Sequence, residues 1–152
     1  MTNENPTRTH KILWIDEDGH ILEPYLEFLE ANGYKVEMCD NLSKGEKLVQ
    51  SEKFDLVILD VMITPTEEEE KNAYTTEAAD LGMQSGLVFF KRVKSYLEKS
   101  KTPLLVLTQR IGLEIRDKFV AEGLPQSAFA RKSDLPTVRH VLEKLEEILA
   151  GK

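Results

Sequence analysis

The 152-residue chain has one cysteine, Cys39, and nowhere approaches the roughly 18 consecutive apolar residues of a membrane span. A single cysteine excludes an internal disulfide and suits a reducing compartment. The N-terminal stretch Met1–Lys11 is polar and lacks the apolar core of a signal peptide. We therefore expect a cytoplasmic protein without a membrane segment.

Basic charge is also scarce. The chain has 27 acidic residues against 20 Lys and Arg, which gives a formal net charge of −7 at pH 7. Nucleic-acid binding requires clustered Lys and Arg to neutralise phosphates, so we expect no nucleic-acid partner. The apolar content of 41% and charged content of 31% are those of a soluble globular protein, long enough for one domain with its own core.

Short apolar runs alternate along the chain with segments whose apolar residues recur at helical spacing. The predicted strands are Lys11–Ile15, Tyr34–Cys39, Phe54–Val61, Pro103–Leu107 and Ser127–Arg131. The predicted helices are His20–Asn32, Ser43–Gln50, Gly86–Lys99, Leu113–Glu122 and Leu135–Ala150. Asp134 is predicted to cap the last helix and Gly151 to end it. This alternation predicts an α/β fold with a doubly wound, five-stranded parallel sheet and five helices.

Four apolar runs in the predicted strands each end at or near polar residues of one chemical set. These are the acidic run Asp16-Glu17-Asp18, then Asp60, Thr108 and Lys132. In open parallel sheets the carboxyl ends of the strands form the binding site, so we expect these side chains to lie close together. Two carboxylates about 4 Å apart repel by about 4 kcal/mol at an effective dielectric near 20, so they require a cation, a lysine partner or raised pKa values. Carboxylates, a hydroxyl and an amine are also what magnesium-assisted phosphoryl transfer onto an aspartate requires.

Each of these residues alone has a simpler interpretation. An aspartate between a strand and a helix is more often a helix cap than a nucleophile, and this is the role we favour for Asp18. An isolated lysine such as Lys132 is most often exposed to solvent. The occurrence of the whole set at four strand ends favours one shared site. Trp14, the only tryptophan, is expected to pack in the core.

In this order, the residues resemble a response-regulator receiver domain, with the flavodoxin-like receiver fold, over residues 11–150. The stretch Lys11-Ile-Leu-Trp-Ile-Asp-Glu-Asp18 resembles the first strand and acidic pair of that family. The stretch Phe54-Asp-Leu-Val-Ile-Leu-Asp-Val-Met62 resembles its phosphoacceptor strand. The fourth and fifth strands are similar to Pro103-Leu-Leu-Val-Leu-Thr108 and Phe129-Ala-Arg-Lys132. Residues 1–10 would be a polar segment preceding the domain.

The resemblance implies that Asp60 accepts a phosphoryl group from a phosphohistidine of a histidine kinase or a histidine phosphotransfer protein. The implied ligands of Mg²⁺ are Glu17, Asp60 and the backbone carbonyl of Met62, with Asp16 acting directly or through water. Lys132 would pair with Asp60 and then with the phosphoryl group. Transfer and dephosphorylation would be self-catalysed, without the turnover of a classical enzyme.

The resemblance also implies a conformational switch, in which Thr108 bonds the phosphoryl group and Phe129 follows it inward. The surface of the fourth helix, fifth strand and fifth helix would then repack to bind an unknown downstream protein. A homodimer through the same surface is left open. Because no further domain follows Lys152 in the sequence, we expect a stand-alone receiver.

Several positions depart from the family pattern. Glu17 is one methylene longer than the usual aspartate, and Ser133 stands where the family usually has a proline. Gln109 follows the switch threonine where a small residue is preferred, and Met62 and Arg110 occupy positions that tune phosphoryl lifetime. The largest departure is an insertion loop at about 64–85, which is interpreted either as a solvated acidic segment or as a lid or partner-docking segment.

Three other functions share part of this pattern. A pseudo-receiver of the same fold that is not phosphorylated is the main alternative, although such a module would usually lose Asp60, Lys132 or an acidic residue. A haloacid-dehalogenase-type phosphatase would have a second aspartate where Met62 stands. A nucleotide or flavin binder would have a glycine-rich first turn, whereas this chain has Asp16-Glu-Asp-Gly19.

Overall fold

The computed structural model describes residues 9–17, 22–60, 85–108 and 113–151. In these ranges one sheet is formed by β1 (His10–Ile15), β2 (Tyr34–Cys39), β3 (Leu56–Leu59), β4 (Leu104–Thr108) and β5 (Phe129–Arg131). All neighbouring strands are parallel, in the order β2-β1-β3-β4-β5. The strand order reverses between β1 and β3, which is where a parallel sheet of this kind opens a crevice for a site.

The described residues also form five α-helices and two short 3₁₀ turns. The helices are α1 (Glu23–Ala31), α2 (Leu42–Ser51), α3 (Ser85–Ser100), α4 (Leu113–Ala121) and α5 (Val138–Ala150). The 3₁₀ turns are Gln126–Ala128 and Lys132–Asp134. The predicted α/β architecture of five parallel strands and five helices is therefore confirmed.

The core consists of two apolar layers, one on each face of the sheet. Leu13 and Ile15 of β1 pack with residues of α2, α3 and α4, whereas Ile12 and Trp14 pack with residues of α1 and α5. Burial on both faces explains why β3 is apolar at every position, since all four of its residues are buried. Trp14 is 1% exposed and lies edge-on to Tyr25, so its predicted place in the core is confirmed.

The predicted start of the last helix is wrong. Helix α5 begins at Val138, and its N-cap is Thr137, whose hydroxyl accepts a hydrogen bond from the backbone N–H of His140 at 3.3 Å. Asp134 lies in the preceding 3₁₀ turn. The cause is Pro136, because the residue before a proline is disfavoured in helical conformation. The predicted end is confirmed, since Gly151 is the C-cap.

Two other predictions concern regions that the structure describes only in part. Helix α1 has its N-cap at Leu22, and Asp18 lies outside the described residues. The insertion predicted at about 64–85 also lies outside them, apart from Ser85, the first residue of α3. Among the helices that are described, none has the length and apolar character required to cross a membrane.

Candidate functional site

Two aspartates stand at the point where the strand order reverses. Asp16 directly follows β1, and its N–H donates to the carbonyl of Cys39 at 2.9 Å. Asp60 directly follows β3, and its N–H donates to the carbonyl of Ile15 at 3.0 Å. These main-chain bonds extend the sheet by one residue beyond each strand. Both carboxylates are thereby attached to a rigid backbone at the same edge of the sheet.

Thr108 and Lys132 complete the cluster from the ends of β4 and β5. The Thr108 hydroxyl donates to Asp60 Oδ1 at 2.8 Å. Lys132 Nζ donates to Asp16 Oδ2 at 2.7 Å and is 3.5 Å from Asp60 Oδ2. The two oxygens of Asp60 therefore face different groups, one a hydroxyl and the other an ammonium. The structure thus brings together four of the side chains that the sequence singled out.

The cluster is largely shielded from water. Asp16 is 0% exposed, Thr108 1% and Asp60 9%, whereas the side chain of Lys132 is 21% exposed. Ionised carboxylates tolerate such burial only when they are paired and hydrogen-bonded. Lys132 supplies one positive charge against the two negative charges of Asp16 and Asp60. These three groups retain one formal negative charge, which favours a further cation.

The donor atoms of this cluster fit Mg²⁺ as a partial ligand set. Magnesium prefers oxygen ligands and is commonly held by one or two carboxylates, with water or phosphate oxygens in its other positions. Asp16 and Asp60 provide two such carboxylates, and Glu17 is exposed next to Asp16. Across the described ranges, no group of three or more acidic, His or Cys side chains is placed to hold a metal ion. Met62, predicted to add a backbone carbonyl, lies outside those ranges.

The sequence matches no family model and no curated protein. Solved structures match it closely in shape. A CheY-like response regulator receiver domain protein from Methanospirillum hungatei JF-1 is 22% identical and has a TM-score of 0.68. The match covers 93% of this chain and 94% of that protein. The non-phosphorylated HemR receiver domain from Leptospira biflexa is 25% identical and has a TM-score of 0.63. This match covers 92% of the present chain and 94% of the HemR domain. The chain has the response-regulator receiver fold.

A third match with the receiver fold carries ligands in its structure. This response regulator protein from Burkholderia pseudomallei was solved with a phosphorylated aspartic acid, a calcium ion and citrate. It is 21% identical, with a TM-score of 0.65, and the match covers 93% of this chain and 72% of that one. The similarity supports the fold predicted from the sequence.

The other predicted switch residue, Phe129, opens β5 on the α4 side of the receiver fold. Its half-buried ring lies edge-on to that of Phe119 in α4, with centroids 5.7 Å apart. In the sheet register, Phe129 pairs with Val106 and Arg131 pairs with Thr108. Phe129 therefore lies opposite Val106, two residues before Thr108 in β4. It also contacts the core beneath α4. Its role in switching stays a prediction.

Of the five residues named as departures from the usual receiver pattern, Glu17 and Ser133 are described by the structure, whereas Met62, Gln109 and Arg110 are not. The peptide bond between Lys132 and Ser133 is trans, and Ser133 lies in the 3₁₀ turn Lys132–Asp134. Glu17 ends the first described range as an exposed residue. Gln109 and Arg110 lie outside the described residues.

The sequence reasoning missed the bond between Lys132 and Asp16. It assigned Lys132 to Asp60 alone, yet the shorter contact is with Asp16. The two residues are 116 positions apart, and β1 and β5 are not neighbouring strands. The contact depends on a long lysine side chain reaching across the ends of β4 and β3. No local sequence signal encodes that reach.

Proposed function

We propose that this chain is a response-regulator receiver that accepts a phosphoryl group on Asp60 from a phosphohistidine, with Mg²⁺. One observation carries the proposal. The buried Asp60 carboxylate at the end of β3 receives the Thr108 hydroxyl on one oxygen and faces the Lys132 ammonium with the other. A second buried carboxylate, Asp16, lies within reach of the same ammonium. These are the nucleophile and the charge-stabilising groups that phosphoryl transfer requires.

In the proposed reaction, an oxygen of the Asp60 carboxylate attacks the phosphorus of a phosphohistidine. The new P–O bond forms as the P–N bond breaks, and the bonding electron pair returns to the imidazole nitrogen. The product is an acyl phosphate on Asp60. When bound, Mg²⁺ would be held by Asp16 and Asp60 and would neutralise part of the phosphoryl charge.

Thr108 and Lys132 have the chemistry to stabilise the product. Both are donors, and both already contact the Asp60 carboxylate. After transfer, the Thr108 hydroxyl would donate to one phosphoryl oxygen and the Lys132 ammonium to another. Lys132, which now donates to Asp16 at 2.7 Å, would turn another N–H of its ammonium toward the phosphoryl group. The reaction thus rearranges a buried charge network, which is a typical local trigger of a conformational switch.

The same proposal extends to the surface made by α4, β5 and α5. Thr108 ends β4, Phe129 begins β5, and the ring of Phe129 packs on Phe119 of α4. A shift of Thr108 toward the phosphoryl group would leave space that Phe129 can enter, and α4 would have to repack. We propose that this surface binds the downstream protein, with a histidine kinase or histidine phosphotransfer protein as the phosphodonor. A cytoplasmic location is proposed with it, because a chain with a single cysteine suits a reducing compartment.

A pseudo-receiver that is never phosphorylated is the alternative. The observation in its favour is the direct bond between Lys132 and Asp16, by which the protein's own ammonium neutralises a carboxylate that a metal would otherwise use. In such a module the charge cluster would serve stability alone. The two functions make different predictions for a small phosphodonor.

Incubation of the purified chain with acetyl phosphate and Mg²⁺, followed by intact mass spectrometry, distinguishes the two functions. We expect the wild type to gain one phosphoryl group in a bond that hydroxylamine cleaves, and Asp60→Asn to gain none. Asp40→Asn is the matched control, because Asp40 directly follows β2 but is exposed, and β2 does not neighbour β3 in the sheet. Absence of label in all three folded proteins would support the pseudo-receiver. Label on Asp60→Asn would show that another residue is the phosphoacceptor.

A further inference from the structure

A cavity of about 470 Å³ lies at the end of the sheet opposite to Asp60. It is lined by Leu104, the first residue of β4, and by Ala128, which directly precedes β5. Its apolar lining includes Phe90, Leu97, Leu104, Leu124, Ala128 and Ile148. The volume is within the range of about 300–1,000 Å³ that small-molecule sites occupy. The apolar part of the cavity therefore has room for the body of a small organic ligand.

The C-terminal ends of three helices meet around this cavity. The end of α3 contributes Leu97 and Glu98, the turn after α4 contributes Glu122–Leu124, and the end of α5 contributes Glu147 and Gly151. The C-terminus of a helix carries a partial negative charge of about half an elementary charge, because its last carbonyls lack partners within the helix. Three such ends at one cavity favour a cation and disfavour an anion.

The charged side chains of the lining have the same bias. Three carboxylates, of Glu98, Glu122 and Glu147, line the cavity against two ammonium groups, of Lys94 and Lys101. Of these, Glu147 also has a long contact of 3.7 Å with Lys144 and keeps 67% of its side-chain exposure. The lining side chains by themselves thus carry a formal net charge of −1 beside the partial charges of the helix ends.

Lys94 shows how an ammonium group is held at this place. Its Nζ donates to the backbone carbonyl of Glu122 at 3.1 Å and to Glu122 Oε1 at 3.0 Å. One primary ammonium is thus already bound by a carbonyl beyond the end of α4 and by a lining carboxylate. Glu98 and Glu147 place two further carboxylates of the lining near the C-terminal ends of α3 and α5.

We propose that the cavity binds a small organic cation, an ammonium or guanidinium group attached to an apolar ring or chain. The apolar body would lie on the lining formed by the sheet ends and α3, and the cationic group would bind Glu98 and Glu147 beside the helix C-termini. A neutral molecule would gain the apolar contacts without the electrostatic attraction. An anion would be repelled by the three helix ends. This site is separate from Asp60 and does not depend on phosphorylation.

Three probes of nearly equal size test the proposal on the whole chain. These are 2-phenylethylammonium, the neutral 2-phenylethanol and the anionic 3-phenylpropionate, each titrated while the backbone amides are followed by two-dimensional NMR. We expect saturable shifts of the cavity amides with the cation, with a dissociation constant of about 1 mM for a ligand of this size. The neutral and anionic probes should bind at least about tenfold more weakly, a difference of about 1.4 kcal/mol. Equal shifts with all three, or none that saturate, would overturn the proposal.

Variants identify the residues responsible. The double variant Glu98→Gln and Glu147→Gln should weaken binding of the cation about tenfold. Its matched control is Glu27→Gln with Glu143→Gln, which changes net charge equally at exposed positions outside the cavity and should leave affinity within about twofold. Ser127→Phe, at an exposed lining position, should block binding sterically. Unchanged affinity in both the double variant and Ser127→Phe would show that the cation binds elsewhere.

Discussion

Replacing Lys132 by methionine should destabilise the protein in the absence of Mg²⁺. Methionine retains an apolar chain of similar length but removes the ammonium that lies 2.7 Å from Asp16 Oδ2 and 3.5 Å from Asp60 Oδ2. Asp16 is fully buried, so water cannot replace the lost charge without opening the site. The substitution thus tests whether Lys132 is the counter-charge of both carboxylates.

The magnitude follows from these distances and from the exposure of the lysine. At an effective dielectric of about 20, an N···O distance of 2.7 Å corresponds to about 6 kcal/mol of Coulomb attraction, and 3.5 Å to about 5 kcal/mol. Desolvation of the charges opposes most of this attraction, and removal of one partner of a buried pair costs about 3–5 kcal/mol. Because Lys132 is 21% exposed, we expect a somewhat smaller loss of about 2–3 kcal/mol. The corresponding fall in Tm for a protein of this size is about 5–10 °C.

Urea unfolding followed by Trp14 emission measures the loss, in EDTA and in millimolar Mg²⁺. An ion that binds only the folded state stabilises it, and in Lys132→Met the ion no longer competes with an ammonium. Mg²⁺ should therefore stabilise the variant more than the wild type, by about 1.4 kcal/mol for each tenfold gain in affinity. Lys144→Met is the control, since Lys144 makes only a 3.7 Å contact with the exposed Glu147. Lys144→Met should lower the free energy of unfolding by less than about 0.5 kcal/mol.

Two outcomes would refute this reasoning. A loss in EDTA no larger than that of Lys144→Met would show that Lys132 does not neutralise the buried carboxylates. An equal effect of Mg²⁺ on the wild type and on Lys132→Met would show that the lysine and the ion do not share Asp16 and Asp60. The first result concerns the charge network, whereas the second concerns the proposed metal ligands.

Two further predictions concern the backbone and the cysteine. Lys101 follows α3 with a positive φ of 57°, as Gly123 follows α4 with a φ of 106°. A side chain is strained at positive φ, so Lys101→Gly should raise the free energy of unfolding by about 0.5–1 kcal/mol and Gly123→Ala should lower it by about 1 kcal/mol. Urea unfolding measures both changes, and changes of the opposite sign would contradict this explanation. Burial raises the pKa of the Cys39 thiol, so its contribution to stability is complete below the pKa of the unfolded thiol and is lost as pH rises through the folded pKa. As pH rises through this alkaline range, the free energy of unfolding of the wild type should thus fall more steeply than that of Cys39→Ala. Parallel falls in the two proteins would refute this prediction.

Local patterns in the sequence predicted most of the fold. The alternation of apolar runs with helical periodicity predicted the five strands and five helices, because parallel strands buried on both faces are apolar throughout, as β3 is. Turn residues located several boundaries, such as the end of α1 at Asn32 and Gly33. The start of α5 was misplaced because the apolar spacing of Leu135 outweighed the restriction that Pro136 imposes. Periodicity does not record such a backbone restriction.

The sequence by itself determined which groups could form a phosphoryl-transfer site, since Asp16, Asp60, Thr108 and Lys132 each lie at the carboxyl end of a strand. It also determined that the strands are parallel, because the helices between them return the chain to the same edge. Only the tertiary structure decided that Lys132 bonds Asp16 more closely than Asp60, and that three helix ends surround a cavity at the opposite edge. Both features depend on distances between residues far apart in the chain. Those distances are set by the packing of the whole domain.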